Sequence, residues 1–372
     1  MELIKRNGMA VLSLALLVGV ALNFIQCGDG DEARAVVMQE AKTAAKPAVK
    51  SEAKPEAKNE VVVYTAHDRL YSEPVLKKFE EQTGMRALSK FDTEATKTIG
   101  LVEALKAEKN RPRCDVWWNN EIMNTIRLKR DGVLEPLNLE DAPMPASFRD
   151  PDGYWYGFGA RARILIVNTD LVGEDEIPSS IYDLANPKWK GQTGIAKPLF
   201  GTTVTHAAVL FAALGEEEAV KFFDSLKAND IVIEASNGAV AREVAAGRLA
   251  FGLTDTDDAV VQTHLGAPVK IVFPDQGEGR MGALLIPNTV ARVKGGPNGD
   301  KAVALARYLI SPEVETMLAE SQAAQIPLNP DVGMLPKDLP ELKDVRFMEA
   351  DFEAAADAHA RAQAYVEQTF LQ

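Results

Sequence analysis

Along the chain, short β-branched or aromatic runs alternate with stretches whose apolar positions recur at helical spacing. VVVYTAHD (61–68) opens on a continuous apolar run, the pattern of a strand buried on both faces. SEPVLKKFEEQTGM (72–85) sets Val75, Leu76 and Phe79 on one helical face and then meets Gly84, a helix stop. TIGLVEALKAEKN (98–110) predicts a second helix, CDVWWNN (114–120) a second strand, and EIMNTIRLKRDGVL (121–134) a third helix. YWYGFGARARILIVNTDLV (154–172) is long and β-rich, and predicts a strand that crosses from one lobe to another.

Beyond it a second series runs through GQTGIAKPLFGTTVTHAAVLFAAL (191–214), KFFDSLKAND (221–230) and VAREVAAGRLAFGLTD (240–255). Residues 268–293 predict two further strands, one of them a return crossing, and helical patterns at 299–322 and 352–370 close the chain. Strands alternating with helices over short connections predict an α/β fold with a mostly parallel sheet. The expected organisation is two lobes, residues 61–160 with 286–372 and residues 161–285, with crossing hinge strands and a cleft between them, a common place for a small-molecule site.

The first 60 residues follow a different pattern. Lys5 and Arg6 precede a run of 17 residues without a charge (9–25), a basic region and an apolar core that predict an export signal over residues 1–27. A comfortable membrane span needs about 20 apolar residues, so the run is short for an anchor. Cys27 stands where a lipoprotein signal carries its acylated cysteine, although Gln26 precedes it where such signals usually carry Gly, Ala or Ser. Ala33-Arg34-Ala35 offers the alternative of a peptidase site. Residues 28–60 end in an Ala, Lys, Glu and Pro stretch that lacks the apolar surface to offset ordering, and predict a flexible tether.

Composition narrows the partners. The 372 residues are 46% hydrophobic and 26% charged, enough for roughly two domain-sized units with a sizeable core. A formal net charge of −13 argues against a nucleic-acid partner, which needs a basic face. Cys114 is the only cysteine besides Cys27, so no disulfide is expected in the folded body.

The chemistry concentrates in two stretches. No G-x-S-x-G elbow, Rossmann glycine fingerprint or P-loop occurs, and the histidines, His67, His206, His264 and His359, form no local nucleophile motif. Gly201, Thr202 and Thr203 stand at the start of a predicted helix, where free backbone N–H groups and hydroxyls bind an anion or simply cap the helix. His206, one turn on, reads as a packed helix residue. FGLTDTDDAVV (251–261) brings Asp255, Asp257 and Asp258 to the carboxyl end of a buried strand. Their oxygens are hard donors suited to Fe³⁺, Ca²⁺, Mg²⁺ or Mn²⁺, or else one caps the next helix and the others face solvent. A D-x-D built on Asp255 and Asp257 also admits a Mg²⁺-dependent phosphotransferase.

Taken in order, VVVYTAHDRLYSEPVLKKFEEQTG, CDVWWNNEI, GARARILIVNTDLV, PKWKGQTGIAKPLFGTT, SNGAVAREVAAGRLAFGLTDTDDA and YLISPEVETMLAE resemble the bacterial extracellular solute-binding proteins of ABC importers. The nearest branch is that of the periplasmic ferric iron-binding proteins, and the resemblance spans residues 61–328. It implies the two-lobe periplasmic binding protein fold, a monomer in the periplasm, no catalysis and no cofactor, and a cargo handed to a membrane permease. It also implies that the ligand positions fall at Asp68 with His67, at Asn120 with Glu121, and 20 and 21 residues after Asn237, where the branch has a tyrosine pair and this chain has Asp257 and Asp258. The anion-binding turn of the family falls at Gly201–Thr203, with Asn237 nearby. Tyrosinate favours Fe³⁺ strongly, whereas aspartates accept many hard cations. The expected solute is therefore a hard cation, Fe³⁺ first. The alternative is a small organic solute with phosphate, phosphonate or amine groups, its anionic end taken by Arg161, Arg163 or the Gly201–Thr203 turn.

Overall fold

The computed structural model describes residues 59–92, 99–199, 201–333 and 336–371. The export signal, Cys27 and all but the end of the predicted tether lie outside the described residues. Among the described residues no helix is long and apolar enough to cross a membrane.

The first series comprises β1 (Glu60–Thr65), α1 (Arg69–Thr83), β2 (Arg86–Phe91), α2 (Ile99–Ala107), β3 (Val116–Asn119), α3 (Met123–Arg130) and β4 (Leu134–Glu135). The long strand β5 (Trp155–Asn168) follows, with all of its 14 residues buried. The second series comprises β6 (Thr193–Ala196), α4 (Gly201–Leu214), α5 (Glu216–Ala228), β7 (Val232–Glu234), α6 (Asn237–Ala245), β8 (Phe251–Asp255), α7 (Thr256–His264) and β9 (Val269–Val272). The chain returns through β10 (Leu285–Val293) and ends in α8 (Gly299–Leu309), α9 (Pro312–Glu320) and α10 (Phe352–Leu371).

One mixed sheet carries these strands in the order β2-β1-β3-β10-β5-β8-β6-β7, with β4 on β10 and β9 on β5. β1 is parallel to β2 and β3, and β6 is parallel to β7 and β8. β5 runs antiparallel to both of its neighbours and changes partner along its length: residues 155–162 pair with β10, and residues 163–168 with β8 and β9. This is the crossing strand that the sequence predicts.

Strand residues alternate between two apolar layers, one on each face of the sheet. Tyr64, Trp117 and Leu165 join the layer that holds α10, while Val63, Trp118 and Ile164 join the layer of α1 and α8. Small residues let β8 pack closely: a Cβ on Gly252 would lie 2.4 Å from Val240 and 2.8 Å from the Gly194 carbonyl. α10 packs on α4, with Ala355, Ala358 and Ala362 in the shared apolar layer, and also reaches α3, where Arg130 pairs with Glu353 and Asp357.

Three strands escape the sequence reading: the short β4, which begins inside the predicted third helix, and β2 and β7, the two ends of the strand order. β2 and β7 are only partly covered, and Arg86, Ser89 and Lys90 of β2 break the apolar pattern. α1 starts at Arg69 rather than residue 72, because the Asp68 carbonyl accepts from the N–H groups of Tyr71 and Ser72 and opens the helix earlier.

Candidate functional site

A cavity of about 300 Å³ opens where the carboxyl ends of β1, β3, β6 and β8 meet. Open α/β sheets place their ligands at such an edge. Asp68 reaches it from the end of β1, Asn120 from the end of β3, and Arg161 from the middle of β5. The other wall is built by three helix N-termini: Gly201, Thr202 and Thr203 of α4, Asn237 of α6, and Asp257 and Asp258 in the first turn of α7. Their free N–H groups and macrodipoles give that wall a positive bias. Gly201 has φ +64°, which favours glycine where α4 opens.

Asp255 occupies the N-cap position of α7 and does not cap it. Its carboxylate turns inward instead. Oδ1 accepts from Arg163 Nη1 at 2.7 Å, and Oδ2 accepts from Thr202 Oγ1 at 2.6 Å and from Asn237 Nδ2 at 3.0 Å. Asn237 Nδ2 also lies 2.8 Å from Thr202 Oγ1, and Arg163 Nη1 donates to Asn237 Oδ1 at 3.1 Å. One buried brace thus ties β5 and β8 to the starts of α4 and α6. Burial alone would raise the Asp255 carboxyl, but Arg163 and Arg161 outweigh it and hold the group below the ordinary carboxylate range.

Asp257 and Asp258 face the cavity, and each of the three aspartates has a carboxylate oxygen within 4.8 Å of the others'. Asp257 Oδ1 accepts from the Asp258 N–H at 3.0 Å, and its Oδ2 lies 3.8 Å from Arg161 Nη1. Burial pushes Asp257 up to about 6, helped by the carboxylates of Asp255 and Asp68 and opposed by Arg161. The Arg161 guanidinium also donates to the Asn120 carbonyl, so it links the β3 side of the cavity to the α7 side.

Three of the sequence-predicted residues lie behind the cavity wall. His67 is 3% exposed, stacks on Trp118 at 5.4 Å and meets Gln325. Glu121 accepts from the N–H groups of Met123 and Asn124 and from Thr205, so it caps α3. Arg163 is fully buried in the brace. His206 is a packed helix residue as expected, and burial and Arg163 depress it to about 3. Both members of the D-x-D pair line the cavity, but Asp255 is committed to Arg163 at 2.7 Å while Asp257 has only a 3.8 Å arginine contact.

Lys197, Ser236, Gly238 and Arg242 line the cavity without having been singled out in the sequence. Lys197 directly follows β6, and the edge rule for α/β sheets could have found it. Among the described residues no tyrosine lines the cavity.

The chain matches the family model for bacterial extracellular solute-binding proteins over residues 125–355. It is 28% identical to iron uptake protein A1 of Synechocystis sp. over 290 residues, 74% of this chain and 79% of that one. It is also 28% identical over 224 residues to a protein of Salmonella typhimurium named for 2-aminoethylphosphonate binding, covering 59% of this chain and 64% of that one. Among solved structures, the ferric binding protein from Campylobacter jejuni superimposes with a TM-score of 0.76 at 22% identity, over 84% of this chain and 100% of that one. At that identity the likeness establishes the two-lobe α/β fold.

Proposed function

The chain belongs to the bacterial extracellular solute-binding proteins, and on that premise we propose that it captures a hard metal cation, Fe³⁺ first, and delivers it to an ABC permease. The observation that carries the reading is the cluster of carboxylates at the cavity, with Asp257 and Asp258 on α7 and Asp68 on the opposite side. Hard oxygen donors of this kind suit Fe³⁺, Mn²⁺ or Ca²⁺. The iron uptake protein of Synechocystis supports iron as the cargo. In this reading Asp68, Asp257 and Asp258 hold the cation, Asn120 and Arg161 shape the floor, and Gly201–Thr203 with Asn237 take an accompanying anionic group. Residues 61–160 with 286–372 and residues 161–285 are the two lobes, supported by the change of partners along β5. The protein works as a monomer in the periplasm, tethered through residues 28–60 and, where Cys27 is acylated, anchored by lipid.

A second reading keeps the role and replaces the cation with a small organic solute bearing an amine and a phosphate or phosphonate. Charge balance favours it. Asp68, Asp255, Asp257 and Asp258 line the same cavity as Arg161, Lys197 and Arg242, with Arg163 directly behind. A ligand with both signs suits such a wall, and the Salmonella relative is named for one.

Thermal shift separates the two, because a ligand that binds the folded state raises apparent stability. Fe³⁺, Mn²⁺ or Ca²⁺ is expected to raise Tm, and a chelator to reverse the rise. A rise with 2-aminoethylphosphonate that survives chelator supports the organic solute, and no response to any cation overturns the metal reading. Turnover of a generic phosphate ester is expected to be nil.

A further inference from the structure

We infer that Asp255, although it lines the cavity, sets its charge preference through the pairing with Arg163 and does not coordinate the solute, an inference that rests on this cavity being the solute site. Asp255 is 3% exposed, and both of its oxygens are engaged, by Arg163 at 2.7 Å, Thr202 at 2.6 Å and Asn237 at 3.0 Å. A cation drawn to it would compete with a buried ion pair, and loss of that pair would leave the arginine as an uncompensated buried charge. Asp257 has no comparable commitment: its arginine contact is 3.8 Å long and its side chain is 18% exposed.

The position of the pair gives it a second effect. Arg163 is fully buried and sits against Thr202 and Asn237, residues in the first turns of α4 and α6. Two helix N-termini with an unopposed guanidinium behind them would form an anion site. The Asp255 carboxylate cancels that guanidinium where it stands. Among the described residues Arg163 Nε and Nη2 have no hydrogen-bond partner, so no second carboxylate is bonded to them. The sign of the cavity is therefore decided by an internal ion pair and not by a group that coordinates the solute. Removing either member is expected to move selectivity in opposite directions, because at short range in a buried site one unit charge outweighs several exposed ones.

The test uses the full chain and titrates it separately with Fe³⁺, with Mn²⁺ and with inorganic phosphate at fixed ionic strength. Asp255→Asn is expected to tighten phosphate binding roughly tenfold or more over the parent, with an affinity that falls as salt is raised. Arg163→Gln is expected to do the reverse, tightening the cation and leaving phosphate unbound. The double variant returns toward the parental preference. Asp257→Asn serves as the reference for a residue that touches the cation, and it loses cation binding without gaining phosphate. A ligand role for Asp255 predicts instead that Asp255→Asn behaves like Asp257→Asn, and that result overturns the inference. A purely structural role predicts lower Tm in both single variants with unchanged selectivity, which also overturns it. If Asp255→Asn does not fold, Arg163→Gln and the double variant decide the question by the same comparison. If the parent binds no cation, the cation reading of the preceding section fails, while the phosphate comparison between parent and variants still decides the role of Asp255.

Discussion

At the scale of single residues, three neighbouring aspartates have three different fates. Asp255 is an internal counter-ion, Asp257 is half-buried at the cavity wall with its carboxyl pushed up to about 6, and Asp258 faces the cavity from the same turn. Asp257 gives the protein a measurable pH dependence. Its folded carboxyl titrates at about 6 against an ordinary value of 3.8, so the folded state binds that proton more tightly than the unfolded state does. Stability from this group is therefore gained as pH falls through about 6 and is complete below about 4. Cation binding moves the other way, since protonation removes a ligand charge. Lowering the pH from 7 to 5 is expected to raise the Tm of the solute-free protein while weakening its response to Fe³⁺ or Mn²⁺. In Asp257→Asn the Tm slope over that window flattens. A parent slope that persists in the variant would assign the proton to another group.

At the scale of elements, the crossing strand depends on a helix far from it in sequence. Glu315, fully buried on α9, accepts from the Gly159 N–H of β5 at 2.7 Å and from the Asn329 N–H at 2.6 Å. Glu315→Ala leaves two buried donors unpaired at roughly 1–3 kcal/mol each, so urea denaturation is expected to show a loss of about 2–6 kcal/mol. Glu315→Gln keeps one acceptor oxygen and is expected to lose less than Glu315→Ala. Equal losses would show that the effect lies in packing volume. This support is invisible in the sequence, where Gly159 and Glu315 are 156 residues apart. What was legible follows from burial. β1, β3 and β5 announce themselves because strands covered on both faces must be apolar, whereas the edge strands β2 and β7 are free to carry charge. The site was legible in part for a related reason. The end of a buried strand points to Asp255, and the family resemblance, with its register from Asn237, points to Asp68, Asn120, Asp257 and Asp258. The sequence neighbours of Asp68 and Asn120, His67 and Glu121, are buried outside the cavity lining, on Trp118 and at the start of α3. The Arg163–Asp255 pair joins residues 92 apart on antiparallel strands, and no spacing rule encodes it.

At the scale of the whole molecule, the question is whether solute capture closes the cleft. β5 is continuous through both halves of the sheet, and the changeover at Ala162 and Arg163 lies beside the cavity floor. Arg161 bridges that floor, from the Asn120 carbonyl on one side toward Asp257 on the other. At the back, α10 packs on α4 and meets α3 through the part-exposed pairs of Arg130 with Glu353 and Asp357. Exposed pairs of this kind contribute about 0–1 kcal/mol, so these polar contacts add little resistance to a rotation of one half past the other. A hinge of this form is driven by whatever difference in affinity the solute has for the closed and open states. Small-angle scattering is therefore expected to show the radius of gyration falling as Fe³⁺ or Mn²⁺ saturates the protein, and not falling in Asp257→Asn. Binding seen by thermal shift without any compaction would place the ligand-competent arrangement in the solute-free protein already, with Arg161 standing in for the cation between the two sides of the cleft. Arg161→Gln would then separate the two cases: it opens the solute-free particle if Arg161 holds the sides together, and leaves its radius unchanged if the crossing strands alone set the angle.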